Sequence, residues 1–164
     1  MGVWFGDGER RPGNPYNISQ VFSQETAPTT SEQAEICVAI LALKQWFQAR
    51  VDNKLPQTQA IILKSASAYL VASMIAWVPM WKTDGWKTSD GGTVINKDLW
   101  EQLDAMVTAI ETSGVRVWFW QVSRECNKLA VALAWDAWEN ETSEVKYKSL
   151  DTARKQYFKV DLLI

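Results

Sequence analysis

The amino-acid sequence predicts an α/β fold, on three observations. Residues 60–77, AIILKSASAYLVASMIAW, pass from an apolar run of strand type through a polar break into an amphipathic helix pattern. A second run, VRVWFWQV at 115–122, is β-branched and aromatic and follows a helix-period segment. Along the whole chain the order is strands, helix, strand, helices, strand, helix, in which the later strands are fed by helical crossovers. With 164 residues, 47% of them hydrophobic, the chain is long enough for one compact domain with a sizeable core.

Composition removes several classes of function. There is no histidine, which excludes a His-based catalytic relay and a typical zinc site. Cys37 and Cys126 are too few for a disulfide framework and are expected to be buried thiols. A net charge of -2 and a pI near 5.2 give no bulk basic footprint, although a local basic patch remains compatible with these values. No apolar run reaches membrane-spanning length, and the opening MGVWFGDGERR lacks the apolar core of a signal peptide. The expected location is intracellular, cytoplasmic or nuclear, with no membrane partner. Ten tryptophans bring more aromatic surface than a small core readily hides, which favours an interface.

Each element has its own signal. GVWFG at 2–6, a Gly/Pro/Asn turn through Pro15, and residues 17–22 read as a β-hairpin. After a Thr-rich linker at 23–31, Ala34, Val38, Leu41 and Ala42 form an apolar stripe on a long helix. A strand at 59–64 leads to the Ser67 helix. Leu99, Leu103, Met106, Val107 and Ile110 mark a helix over 97–112, with Gly114 behind it. The 115–122 strand is expected to be covered on both faces. The chain closes with a helix, a charged connector over 139–155 and a strand-like tail at 157–164.

Four of these segments, in order, resemble the ribonuclease H family, type 1, of the fungal and plant kind. GVWFG, the loop and NISQ are similar to its second and third strands; the first strand, with its metal-binding Asp, has no counterpart. Thr30, Ala34 and Glu35 match the motif of the first helix, with Ser31, Glu32 and Gln33 replacing its amide and basic positions. Ser67 and Tyr69 match the strand-to-helix junction, but Ala66 stands where the family has Asp. Trp77, Trp81, Lys82, Gly85, Trp86, Lys87, Asn96, Lys97, Leu99, Trp100 and Leu103 match its substrate handle. Arg124, Glu125, Asn127, Ala130, Leu133 and Ala134 match the closing motif, where Val131 replaces a second Asp.

The resemblance implies a ribonuclease H-like mixed sheet flanked by helices over residues 1–138, followed by a connector and tail at 139–164. Magnesium-dependent hydrolysis needs oxygen ligands, which Ala66 and Val131 do not offer. Glu35 is the one remnant, so no cofactor and no enzymatic activity are expected. The favoured reading is a pseudo-nuclease acting as a protein-interaction or dimerisation module. The alternatives are a non-cleaving binder of RNA–DNA hybrid or double-stranded RNA, and a residual metal-dependent ribonuclease H. Thr30, Lys82, Trp86, Lys87 and Lys97 are the candidates for nucleic-acid contact. Trp77, Trp81 and Trp100 are expected to pack helix on helix. The tail residues Tyr157, Phe158, Val160, Leu162, Leu163 and Ile164 are expected to fill the vacant strand position, on their own chain or across a homodimer, and Asp161 would then approach the old metal site.

Overall fold

The computed structural model describes residues 2–5, 18–19, 28–52, 58–139 and 159–163. Strands β1 (Gly2–Phe5) and β2 (Ile18–Ser19) pair antiparallel as the hairpin signal requires. Helix α1 (Ser31–Val51) starts at Thr30, whose side chain accepts from the backbone N–H of Gln33. Strand β3 (Ala60–Ser65) alternates in burial, with Ile61, Leu63 and Ser65 turned to the core. Helix α4 (Lys97–Thr112) covers the range read from its apolar spacing, and Gly114, at φ +87, turns the chain towards β4 (Arg116–Gln121). Helix α5 (Lys128–Glu139) follows a short 3₁₀ turn at Arg124–Asn127. Strand β5 (Lys159–Leu163) is the last element.

The segment after Ser67 is not one helix. It divides into α2 (Ala68–Ala72), a π-helical turn (Ser73–Trp77) and α3 (Val78–Thr83). Pro79 is the cause: it lacks an N–H and its ring crowds the carbonyl four residues earlier, so the ladder widens there.

The sheet has the order β2-β1-β5-β3-β4. Its last strand in sequence is therefore its middle strand in space. β5 runs parallel to β1 and antiparallel to β3, with Leu162 paired to Phe5 on one side and Leu63 on the other. β3 and β4 are parallel, joined through the α2–α4 crossover. Both neighbours of β5 in the sheet are strands of the same chain. Val160, Leu162 and Leu163 belong to this strand, whereas Tyr157, Phe158, Ile164 and the connector at 140–155 lie outside the described residues.

The core lies between one face of the sheet, α1 and α4. Trp46, Trp100, Ile36, Leu43, Leu63, Leu103 and Ile110 are fully buried in it. α1 is buried more widely than its predicted stripe: Ile36, Ala39, Ile40 and Leu43 join Ala34, Val38 and Ala42, while Leu41 is half-buried. Contact with α4 as well as the sheet requires two apolar faces.

Two expectations are corrected. Among the described residues β4 is an edge strand, and its Trp118 and Trp120 are 53% and 56% exposed, so none of these residues covers its second face. A β-branched and aromatic run signals β structure but carries no information about whether a layer packs on its second face. Cys126 is exposed and Cys37 half-buried, since Cys126 falls in the short turn before α5 rather than on a packed face. No helix among the described residues is long and apolar enough to cross a membrane.

Candidate active site

Three segments meet at the C-terminal end of β3. Ser67 is the N-cap of α2, its Oγ accepting from the N–H of Leu70 at 3.1 Å. Its own N–H donates to Ser65 Oγ, also at 3.1 Å, and its hydroxyl donates to the carboxylate of Glu35 on α1. The same side chain thus starts one helix and ties down another. Burial pushes the Glu35 carboxyl above the usual carboxylate range and Glu32 adds to this, while the Ser67 hydrogen bond and the charge of Arg124 oppose it. Ala66, between the two serines, is half-buried, as is Val131 on α5; both present only hydrocarbon.

The handle is built on aromatic packing. Trp100 is fully buried and Trp81 half-buried, with ring centroids 6.0 Å apart; Tyr69 meets Trp100 edge-on at 5.7 Å. The helix-on-helix reading therefore holds for Trp81 and Trp100. Trp77, 39% exposed, lies at the rim against Tyr69 and Trp81. Past α3, Gly85 and Trp86 both take positive φ, 65 and 61, and the Trp86 N–H donates back to Trp81 O, closing the helix end. Trp86 keeps its place through its ring, 6.5 Å from that of Trp81.

The candidate cations sit around this frame. Lys87 is exposed and pairs in a short bridge with Thr93. Lys82 is exposed but ion-paired to Asp104 at 2.8 Å, and Lys97 is half-buried with Glu101 at 3.4 Å. Such surface pairs are worth roughly 0–1 kcal/mol and are readily exchanged for another anion.

One link between distant segments has no local signal in the sequence. Gln33 Nε2 donates to Asn96 Oδ1 at 3.0 Å, joining the first turn of α1 to the start of α4. Asn96 has φ 59 and does not cap its own helix; its side chain serves the contact instead. Both residues lie in matched motifs 63 positions apart, and only the fold makes them neighbours.

The RNase H family model matches residues 6–119, well over half of the sequence. The chain belongs to the ribonuclease H family. Among curated proteins, it is 40% identical over 78 residues to the Ribonuclease H of Thermosynechococcus vestitus, covering 48% of this chain and 45% of that one. Against the Ribonuclease H of Blochmanniella floridana identity is 34% over 109 residues, 62% and 58% of the two chains. Against that of Treponema pallidum it is 31% over 113 residues, 67% and 60%. The chain thus spans between about half and three fifths of these relatives.

These findings correct three expectations drawn from Ala66 and Val131. The pseudo-nuclease and dimerisation reading, the exclusion of enzymatic activity and the exclusion of a metal cofactor are all opposed by membership of a family whose curated relatives bear the name Ribonuclease H. The physical reason is that a metal ligand is defined by where its oxygen sits in space. Two altered motif positions do not account for the other carboxylates of the chain.

As to fit, Glu35 offers a carboxylate and Ser67 a hydroxyl at this corner, both hard oxygen donors of the kind magnesium takes. Among the described residues no group of three or more Cys, Asp or Glu side chains is placed to hold a metal ion. The described residues alone do not complete a two-cation set.

Proposed function

We propose that the chain is a ribonuclease H acting on the RNA strand of RNA–DNA hybrids. The observation that carries this reading is the Gln33–Asn96 hydrogen bond. It locks the helix bearing Thr30 and Glu35 to the base of the Trp/Lys protrusion, so a hybrid lying across the protrusion would pass the Glu35–Ser67 corner. In this reading Lys87, Lys97 and, after release from Asp104, Lys82 neutralise backbone phosphates, while Trp86 presses on the sugar-phosphate surface and the Thr30 hydroxyl offers a polar contact at the helix N-terminus. Divalent-metal chemistry would supply the hydrolytic power when the cation is bound. Glu35, held by Ser67, is the residue of this chain assigned to that site.

The fungal and plant subtype rests on the closing motif, Arg124 to Ala134, and stays part of the proposal. We also read residues 1–138 as the ribonuclease H-like unit and 139–164 as the part that completes its sheet, β5 standing where the family's first strand stands. The backbone of Asp161 then lies in the middle strand, paired with Trp4 and Lys64.

The test is cleavage of a hybrid labelled on its RNA strand, in Mg²⁺ and in Mn²⁺, by the full chain and by Glu35→Gln. Metal-dependent cleavage that disappears in the variant is the expected result. A folded parent that binds the hybrid and leaves it intact with both metals would overturn the assignment.

A further inference from the structure

The outer face of β4 holds side chains that the hydrolase reading does not use. Along this strand Val117 and Phe119 pack against the core, so the alternating residues Arg116, Trp118 and Trp120 share the opposite face. Both tryptophans are more than half exposed. A cation stands over each ring: the Arg116 guanidinium lies 5.8 Å from the centre of Trp118, and the Lys64 ammonium 5.9 Å from the centre of Trp120. Lys64 is the register partner of Trp120 across β3 and β4.

The pairing of cations with exposed rings selects among occupants. An apolar helix seated here would strip water from Arg116 and Lys64 without offering them an anion. A nucleotide strand offers both complements: flat bases for the rings and phosphates for the cations. Two residues of strand rise set the backbone positions of the two tryptophans about 6.8 Å apart, a spacing that leaves room for a separate base on each ring. Bases inside a duplex are stacked on one another and cannot reach either ring.

We propose that this face of β4 is a stacking platform for single-stranded nucleic acid, with unpaired bases on Trp118 and Trp120 and their phosphates on Arg116 and Lys64. Recognition here is tolerant of sequence, because every base has a π face. The platform is independent of the ribonuclease H reading, since it requires neither cleavage nor metal. Asp161 stands in register with Lys64 on the side away from β4, so the two cations are tested separately.

The experiment titrates the full chain with labelled oligothymidylate and oligoadenylate, reading anisotropy and tryptophan quenching, with a blunt RNA–DNA hybrid as comparison. Both single strands are expected to quench and to bind more weakly as salt rises. Trp118→Ala and Trp120→Ala should each weaken single-strand binding about fivefold or more and leave hybrid binding as it was. Arg116→Glu and Lys64→Glu, which retain both rings, should each weaken it too and guard against a misfolded alanine variant. Unchanged single-strand affinity in the folded variants overturns the proposal. So does light scattering that shows self-association through this face, abolished by the Trp118 and Trp120 changes, with no quenching by either oligonucleotide.

Discussion

The Ser67 hydroxyl donates to the Glu35 carboxylate while its oxygen accepts from the N–H of Leu70, so one side chain joins the middle of the α1 first turns to the head of α2. This corner is both a helix cap and the polar centre of the proposed site. Ser67→Ala removes the cap and should lower stability by about 1 kcal/mol, within a range of roughly 0.5–2 kcal/mol. Ser67→Thr should restore most of it. Urea unfolding at neutral pH measures both.

Glu35 gives a pH signature with a definite sign. Burial raises its folded-state value above the 4.5 of a free carboxyl, so the folded protein holds this proton more tightly than the unfolded chain does. The resulting stabilisation is complete below about 4.5 and is lost as pH rises through the folded value. Relative to the parent, Glu35→Gln should gain stability as pH climbs from that point towards neutrality. Urea midpoints for both proteins at several pH values check this, and a difference that stays constant with pH would contradict it.

Trp100 is the anchor of the handle. It is fully buried, touches Tyr69 and Trp81, and sits on the helix that Gln33 grips at its start. Trp100→Ala should cost roughly 3–5 kcal/mol. Calorimetry gives the magnitude, and loss of hybrid binding alongside it would show that the protrusion depends on this ring.

Lys87 is expected to act on affinity rather than on stability. Lys87→Ala should weaken hybrid binding for all sequences and reduce the slope of log affinity against log salt by about 1. Thermal unfolding should be unchanged, because Lys87 is exposed. Binding isotherms at four salt concentrations suffice.

β5 supplies hydrogen bonds to both neighbours in the middle of the sheet. A chain ending at residue 158 would leave β1 and β3 facing each other with unpaired backbone groups. Cooperative thermal unfolding by circular dichroism should be lost, or the melting temperature should fall sharply; a truncated chain that melts like the parent would place the closing interaction elsewhere.

Much of this molecule is legible along the chain. Apolar spacing gave α4 its range, Gly114 gave its end, and the Thr30 to Glu35 and Trp77 to Trp100 segments identified the family, because each depends on residues close enough in sequence to lie in one local structure. Composition excluded histidine chemistry outright. Burial of both faces of β4, and of Cys126, is not legible there for a related reason: residue type reports that a side chain is apolar, not whether another layer arrives to cover it. The division of the Ser67 helix at Pro79 had a local signal in the missing N–H, overshadowed by the continuous apolar pattern around it.

Long-range closure depended on three dimensions. That Gln33 meets Asn96, that Ser67 meets Glu35, and that Lys64 lies over Trp120 are pairings between elements far apart in sequence. The strand character of the tail was local, but its place between β1 and β3 came from the backbone donors and acceptors those strands leave open. A sequence specifies which segments are strands and which faces are apolar. Which edges meet is decided when all of the segments compete to bury apolar surface and satisfy their hydrogen bonds together.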